Sequence, residues 1–227
     1  MTPQPKAQRI LAWSYSRLST YIKCALLAKL KFIEKRQEPK NKFMEHGIEV
    51  HDKAEGYVKG RIKRLPKCLA RFREEFKLLK TRLVEVELEL AFDKDWKLVS
   101  WFAKDVYVRV KMDVVHTIDF LRDKTIFIID YKTGKVREEQ DKEQGELYAI
   151  GAFLKNPAAE WVQADFWYLD EGVITSETYT RSQLKKLQAK WKKKARPLLN
   201  DRIFAPKPGN HCRWCHFRKD NGGPCEY

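Results

Sequence analysis

The chain has 227 residues, 43% hydrophobic and 12% aromatic, which suffices for a buried core and excludes wholesale disorder. Lys and Arg number 46 against 31 Asp and Glu, a net charge of +15 that points to a polyanionic partner without separating nucleic acid from acidic lipid. No apolar run approaches the roughly 18 residues of a membrane span, and Met1–Arg9 lacks a secretory stretch, so a cytoplasmic protein off the membrane is expected.

Residues 15–33 carry Leu18, Ile22, Leu26 and Leu30 at helical spacing, with Ser14 or Ser16 as the N-cap. Further helices are expected at 43–60 and 66–80. Residues 83–91 then alternate, which predicts a half-buried strand with Val84, Val86, Leu88 and Leu90 on one face and Glu85, Glu87 and Glu89 on the other. Residues 105–120 and 124–131 read as strands joined by a turn near Arg122-Asp123, the second apolar enough to lie in the sheet centre. Helical spacing returns over 138–155. Residues 161–169 and 172–179 suggest a hairpin around Asp170-Glu171-Gly172, and Thr180 with Gln183 forms a capping box for a helix to about 199. The tail from 205 is punctuated by Pro and Gly and reads as loop. The expected architecture is one α/β domain over 1–227, with a central mixed sheet flanked by helices. Its core would span 35–180, with 10–34 and 181–227 as helical and cysteine-bearing segments.

Ile129-Asp130-Tyr131-Lys132-Thr133-Gly134 ends the buried strand. Asp130 and Lys132 are two apart and so share a strand face. A carboxylate and an ammonium at a strand's exit from the core suit phosphodiester hydrolysis, the acid holding a divalent cation and the amine orienting water or balancing phosphate charge. One carboxylate holds Mg²⁺ poorly, and Asp113 on the preceding strand is the natural second, with His51 as a further ligand. A simple ion pair, a turn cap and a structural histidine are the bland alternatives.

Gly47-x-x-x-His51, Asp113, IIDYKTG at 128–134 and Gln144-x-x-x-Tyr148 together resemble the PD-(D/E)XK nuclease superfamily, in particular its RecB-like exonuclease branch, which includes CRISPR-associated nucleases. The resemblance implies a restriction-endonuclease-like fold and hydrolysis of DNA. It makes His51, Asp113, Asp130 and the main-chain carbonyl of Tyr131 ligands of Mg²⁺ or Mn²⁺, and Lys132 catalytic. Gln144 and Tyr148, one helical turn apart, would reach the scissile phosphate or flanking DNA. Val110 departs from the branch, which often has glycine there. By analogy the substrate is linear single-stranded DNA. Recombination, replication or CRISPR-adaptation proteins are possible partners, and a bacterial, archaeal or phage origin is expected. The alternatives are a non-catalytic nucleic-acid-binding metalloprotein and an endonuclease on branched or duplex DNA.

The chain has five cysteines, an odd number that argues against a disulfide framework. Cys212-Arg-Trp-Cys215 with Cys225 suggests metal binding. Ser14-Tyr15-Ser16-Arg17-Leu18-Ser19-Thr20-Tyr21-Ile22-Lys23-Cys24 resembles the corresponding segment of iron–sulfur RecB-like nucleases. That resemblance implies a structural 4Fe–4S cluster on Cys24, Cys212, Cys215 and Cys225, although Ala25 replaces a frequent proline and the gap from Cys215 to Cys225 is long. Zinc is the alternative, with His211 and His216 nearby, and Cys68 reads as a small buried hydrophobe. The stretch from Arg181 to Arg202 presents a basic helix face suited to phosphates, over an inward stripe of Leu184, Leu187, Trp191, Ala195 and Leu198. Trp13, Trp101 and Trp214 are candidates for stacking on unpaired bases.

Overall fold

The computed structural model describes residues 9–120 and 123–227. Ser14 opens the first helix, α1 (Tyr15–Lys23), by accepting from the Arg17 N–H at 3.3 Å. The expected single helix over 15–33 is broken at Cys24. This residue is extended (φ −161°, ψ 118°), and a short helix, α2 (Ala25–Ala28), and a π-helical turn (Lys29–Ile33) follow. The break turns the Cys24 side chain out of the helical periodicity and toward the C-terminal tail. Asn41 caps α3 (Lys42–Val58), and a 3₁₀ turn (Lys67–Phe72) leads into α4 (Arg73–Thr81).

The strands are β1 (Glu85–Phe92), β2 (Leu98–Val99), β3 (Val108–Phe120), β4 (Asp123–Lys132), β5 (Ala159–Tyr168) and β6 (Val173–Thr180). They form one sheet in the order β2-β1-β3-β4-β5-β6. The turn expected near Arg122 lies outside the described residues. Among the strands of the described residues, only β4 and β5 pair in parallel. The crossover between them is α5 (Glu138–Lys155), since parallel neighbours need a long connection. Strand β4 is central, with Ile126, Ile128 and Ile129 buried, as its apolar run predicts. Gly172, at φ +74°, closes the β5–β6 hairpin. The capping box at Thr180 and Gln183 opens α6 (Leu184–Asn200).

Helices cover both faces of the sheet. Leu147, Ile150 and Phe153 of α5, Trp191 and Leu198 of α6 and Leu18 of α1 pack on one face. Val50, Ala54 and Tyr57 of α3 and Phe76 of α4 pack on the other. Each fully buried Leu, Ile, Val or Phe among them contributes roughly 1.5–3 kcal/mol.

Strand β1 departs from simple alternation. Val84 and Val86 pack toward α3 and α4, whereas Leu88 and Leu90 pack toward α5, so the four do not share a face. The cause lies at Glu87, whose φ is +59°. Pairing runs Val86↔Val114 and then Leu88↔Met112, leaving Glu87 and Asp113 opposite each other outside the ladder. Strand β3 switches with β1, since Val114 belongs to the α3–α4 side and Met112 to the α5 side. A left-handed non-glycine residue costs about 1–2 kcal/mol, so neighbouring packing must hold the switch in place.

Trp191 is fully buried, stacks on Trp13 with centroids 5.9 Å apart, and donates from Nε1 to Glu146 Oε2 at 2.9 Å. Trp191→Ala is expected to cost about 3–5 kcal/mol in urea denaturation, by cavity formation and by stripping a partner from a buried carboxylate.

Candidate active site

The ladder between β3 and β4 runs as far as Val114↔Ile129. At the next position the strands part. The Tyr131 N–H, which would otherwise reach for a strand carbonyl, donates to Asp113 Oδ2 at 2.8 Å. The switch at Glu87 and the parting of β3 from β4 thus coincide, and Asp113 sits where they meet. His51 approaches from α3, its Nδ1 3.4 Å from the same Oδ2. Gly47, one turn earlier, lets α3 close on β4, since a Cβ there would come within 3.3 Å of Thr133 Oγ1.

Asp130 is 5% exposed at the end of β4. Lys132 shares its face as the two-residue spacing predicts, with Nζ 2.6 Å from Asp130 Oδ2. The same Nζ donates to Gln144 Oε1 at 2.7 Å. Gln144 Nε2 donates to Asp130 Oδ1 at 3.2 Å, and the Tyr148 hydroxyl donates to that oxygen too. Gln144 and Tyr148 therefore do share a helix face, and that face meets Asp130. Asp113, Asp130, Lys132, Gln144 and Tyr148 all line one cavity of about 560 Å³.

The electrostatics follow from this crowding. Burial, and then the charge on Asp130, push the Asp113 carboxyl well above the usual carboxylate range, against the opposing pull of the Tyr131 N–H and Lys132. Burial and Asp130 likewise keep the Tyr148 phenol protonated, so it acts as a donor. Tyr131 packs its ring against His51 and Phe76, and its hydroxyl is buried without a hydrogen-bond partner.

Two carboxylates lining one cavity offer the hard oxygen donors that Mg²⁺ or Mn²⁺ prefers, and His51 stands next to one of them. In the present arrangement Lys132 occupies the open side of Asp130. Among the described residues, no three His, Cys, Asp or Glu side chains are drawn together closely enough to hold a metal ion.

Several residues of the site escape a reading of the sequence. Asp141, in the first turn of α5, is 1% exposed. It accepts from Tyr168 at 2.9 Å and from Thr175 at 2.7 Å, pinning the helix that carries Gln144 and Tyr148. A first-turn acid normally signals only a helix start. Arg17 and Arg109 line the cavity beside Trp101, and Glu87 pairs with Lys111 at its edge. The alternating sequence over 83–91 reads Glu87 first as an outward acid and only second as one approaching another metal, and it does not report the left-handed conformation at this residue. Of the candidate stacking tryptophans, Trp13 is only 1% exposed and belongs to the core, whereas Trp214 is 81% exposed. On α6, Lys190 and Lys194 are ion-paired with Glu146 and Glu143.

All five cysteines are free. Cys24, Cys212, Cys215 and Cys225 line a second, apolar cavity with Leu26, Leu30, Phe217 and His211. The His211 Nε2 there is buried without a partner. Cys68 is half-buried against the α3–α4 cluster, as a small hydrophobe would be.

A model of the PD-(D/E)XK nuclease superfamily matches residues 41–219. The chain belongs to this superfamily. Its six-stranded mixed sheet between helices is the restriction-endonuclease-like fold that the superfamily implies. A candidate exonuclease from Eubacterium rectale, known from its crystal structure, shares the fold at a TM-score of 0.53 and 12% identity, over 90% of this chain and 88% of that one. The solved structure of SSO0001 aligns over 95% of this chain and 86% of its own at 15% identity, but its TM-score of 0.38 is too low to bear on the fold. No curated protein matches the sequence. Among the described residues, no helix of this nuclease-family chain is long and apolar enough to cross a membrane.

The raised Asp113 carboxyl yields a stability prediction. A group whose folded pKa is raised adds stability below its unfolded pKa, near 3.9, and loses it as pH rises through the folded value. In EDTA, Asp113→Asn should therefore melt higher than the wild type at neutral pH, with the difference closing in acid. Thermal melts across pH will read this.

Proposed function

We propose that the protein is a divalent-metal-dependent DNA exonuclease acting on linear single strands. The observation that carries this reading is the grouping of Asp113, Asp130, Lys132, Gln144 and Tyr148 along one cavity in a chain of nuclease ancestry. Membership of the superfamily supports phosphodiester hydrolysis. The likeness to the E. rectale protein supports the fold alone, so the preference for ends and for single strands rests on the RecB-like motifs.

In this reading Asp113 and Asp130 hold Mg²⁺ or Mn²⁺, with His51 and the Tyr131 carbonyl as further ligands. The bound cation would supply an acidified water and charge neutralisation at phosphate. Lys132 orients the attacking water or offsets charge on the phosphate, once its ammonium turns from Asp130 to the substrate. Gln144 and Tyr148 fix the Asp130 carboxylate through Oδ1, leaving Oδ2 for the cation, and Gln144 Oε1 steers the lysine. The Tyr148 hydroxyl holds its proton at Asp130 throughout.

The four-cysteine cavity is proposed to hold a structural 4Fe–4S cluster. Four thiols in an apolar pocket are suitable soft donors, and they join the end of α1 to the tail. The unpartnered His211 Nε2 in the same cavity favours zinc as the second reading. Iron and zinc analysis of freshly purified protein decides between them. About four iron atoms per chain with broad visible absorbance supports the cluster. One zinc and no colour would replace it.

Lys132→Ala and Asp130→Asn, each checked for folding, should lower cleavage of end-labelled single-stranded DNA by roughly a hundredfold or more. EDTA should abolish cleavage and Mn²⁺ restore it. Wild-type rates in either variant would refute the catalytic assignment. Binding without cleavage in Mn²⁺ would favour a non-catalytic DNA-binding protein, and cutting of a circular single strand would favour an endonuclease.

A further inference from the structure

The cavity holding Asp113 and Asp130 does not end at the catalytic cluster. It shares Tyr15 and Gln140 with a neighbour of about 590 Å³ that reaches Lys23 and Arg137. On its other side it shares Arg17 and Arg109 with a third cavity of about 430 Å³. A continuous groove therefore passes over α1 on both sides of the cluster.

Two guanidinium groups stand in this groove without an acid to match them. Arg17 donates to the Ala12 carbonyl at 2.9 Å, and Arg109 donates to the Trp101 carbonyl at 2.9 and 3.1 Å. Neither has a carboxylate within 4.0 Å among the described residues. Burial, and then Arg109, push the Arg17 guanidinium pKa down, as expected of two like charges held together. Their main-chain partners fix them in place while leaving their charge for an anion. Tyr15 and Trp101 are half-buried in the same walls.

We propose that this groove is the track of a single polynucleotide strand, with Arg17 and Arg109 seating a backbone phosphate beside the one presented to Asp130. The inference rests on the nuclease reading and adds to it the path of the substrate. A basic groove interleaved with aromatic rings suits a strand whose bases are free to stack. In a duplex the bases are already stacked inside, and the rings would go unused. The basic face of α6 is the rival surface, two of whose cations, Lys190 and Lys194, are taken up by Glu146 and Glu143.

The test is the affinity of fluorescein-labelled oligo(dT), read by anisotropy in EDTA so that cleavage does not intervene. Arg17→Gln should weaken binding about tenfold. It should also reduce the slope of log affinity against log salt by about 0.7, the value for one phosphate contact on a single strand. Because Arg17 also braces Ala12, a second variant carries Lys23→Glu with Arg137→Glu, both exposed, and should weaken binding at least as much. Unchanged affinity in both variants would overturn the track. So would equal affinity of the wild type for a blunt duplex, or a larger loss from Lys186→Glu with Lys193→Glu on α6. Turnover of thymidine 5′-(p-nitrophenyl phosphate) with Mn²⁺ separates this inference from the nuclease reading. If the wild type turns over neither substrate yet binds oligo(dT) through these residues, the track stands and the nuclease reading falls.

Discussion

Two carboxylates, Asp113 and Asp130, share a largely buried place, and the rest of the site is arranged around the cost of keeping them there. Burying the Asp113 carboxyl, and then setting it near the charge of Asp130, costs free energy, which appears as the raised Asp113 pKa. The cost is met locally. The Tyr131 N–H and His51 attend one acid, while Lys132, Gln144 and Tyr148 attend the other. Each partner comes from an element anchored for other reasons, α3 by its buried Val50, Ala54 and Tyr57, and α5 by its packing across the sheet. A site that stores repulsion needs this surrounding rigidity, because loosening one anchor lets the acids separate.

The anchor of α5 is itself polar. Asp141 is nearly sealed from solvent and carries no ion pair among the described residues, yet the hydroxyls of Tyr168 and Thr175 satisfy it. Tyr168 also accepts from the Arg137 N–H at the start of the helix. A helix N-terminus favours a negative charge, so the carboxylate is stabilised where it stands. The network therefore sets the rotation of α5 about its axis. That rotation decides whether Gln144 and Tyr148 face Asp130 or miss it.

Much of this was legible in the sequence, and the misses share a cause. Periodicity located α3, α5, α6, the hairpin and the central strand, because each buries a face of constant orientation. The spacing of Asp130 and Lys132 placed them together for the same reason. The failures fall where orientation changes along one element. At Glu87 the chain enters a left-handed conformation and the apolar residues exchange faces, which no period-two pattern reports. At Cys24 a helix stops although the apolar spacing continues. The sequence leaves the burial of Trp13 open because its partner, Trp191, lies far away in the chain. Arg17 and Arg109 lie far apart in the chain, and only the fold makes them neighbours.

The Cys24 break also bears on the cavity that α1 helps to wall. Tyr21 donates to Asp201 Oδ2 at 2.8 Å and packs edge-on against Phe204. Lys207 donates from Nζ to the Ile22 carbonyl at 3.0 Å and from its backbone to Cys24 Sγ at 3.5 Å. The C-terminal segment thus clamps the last turn of α1, while the first turn, with Tyr15, forms a wall of the Asp113–Asp130 cavity. A helix of nine residues is too short to be stable alone, so its position depends on what holds its two ends. One end is held by Trp13, through its stack on Trp191 and its backbone bonds to Tyr107, just before β3, and to Arg109 on β3. The other is held by the tail. Segments from the two ends of the described fold thereby carry a wall of the site, and a tail made largely of loop becomes part of what keeps the Asp113–Asp130 cavity in shape.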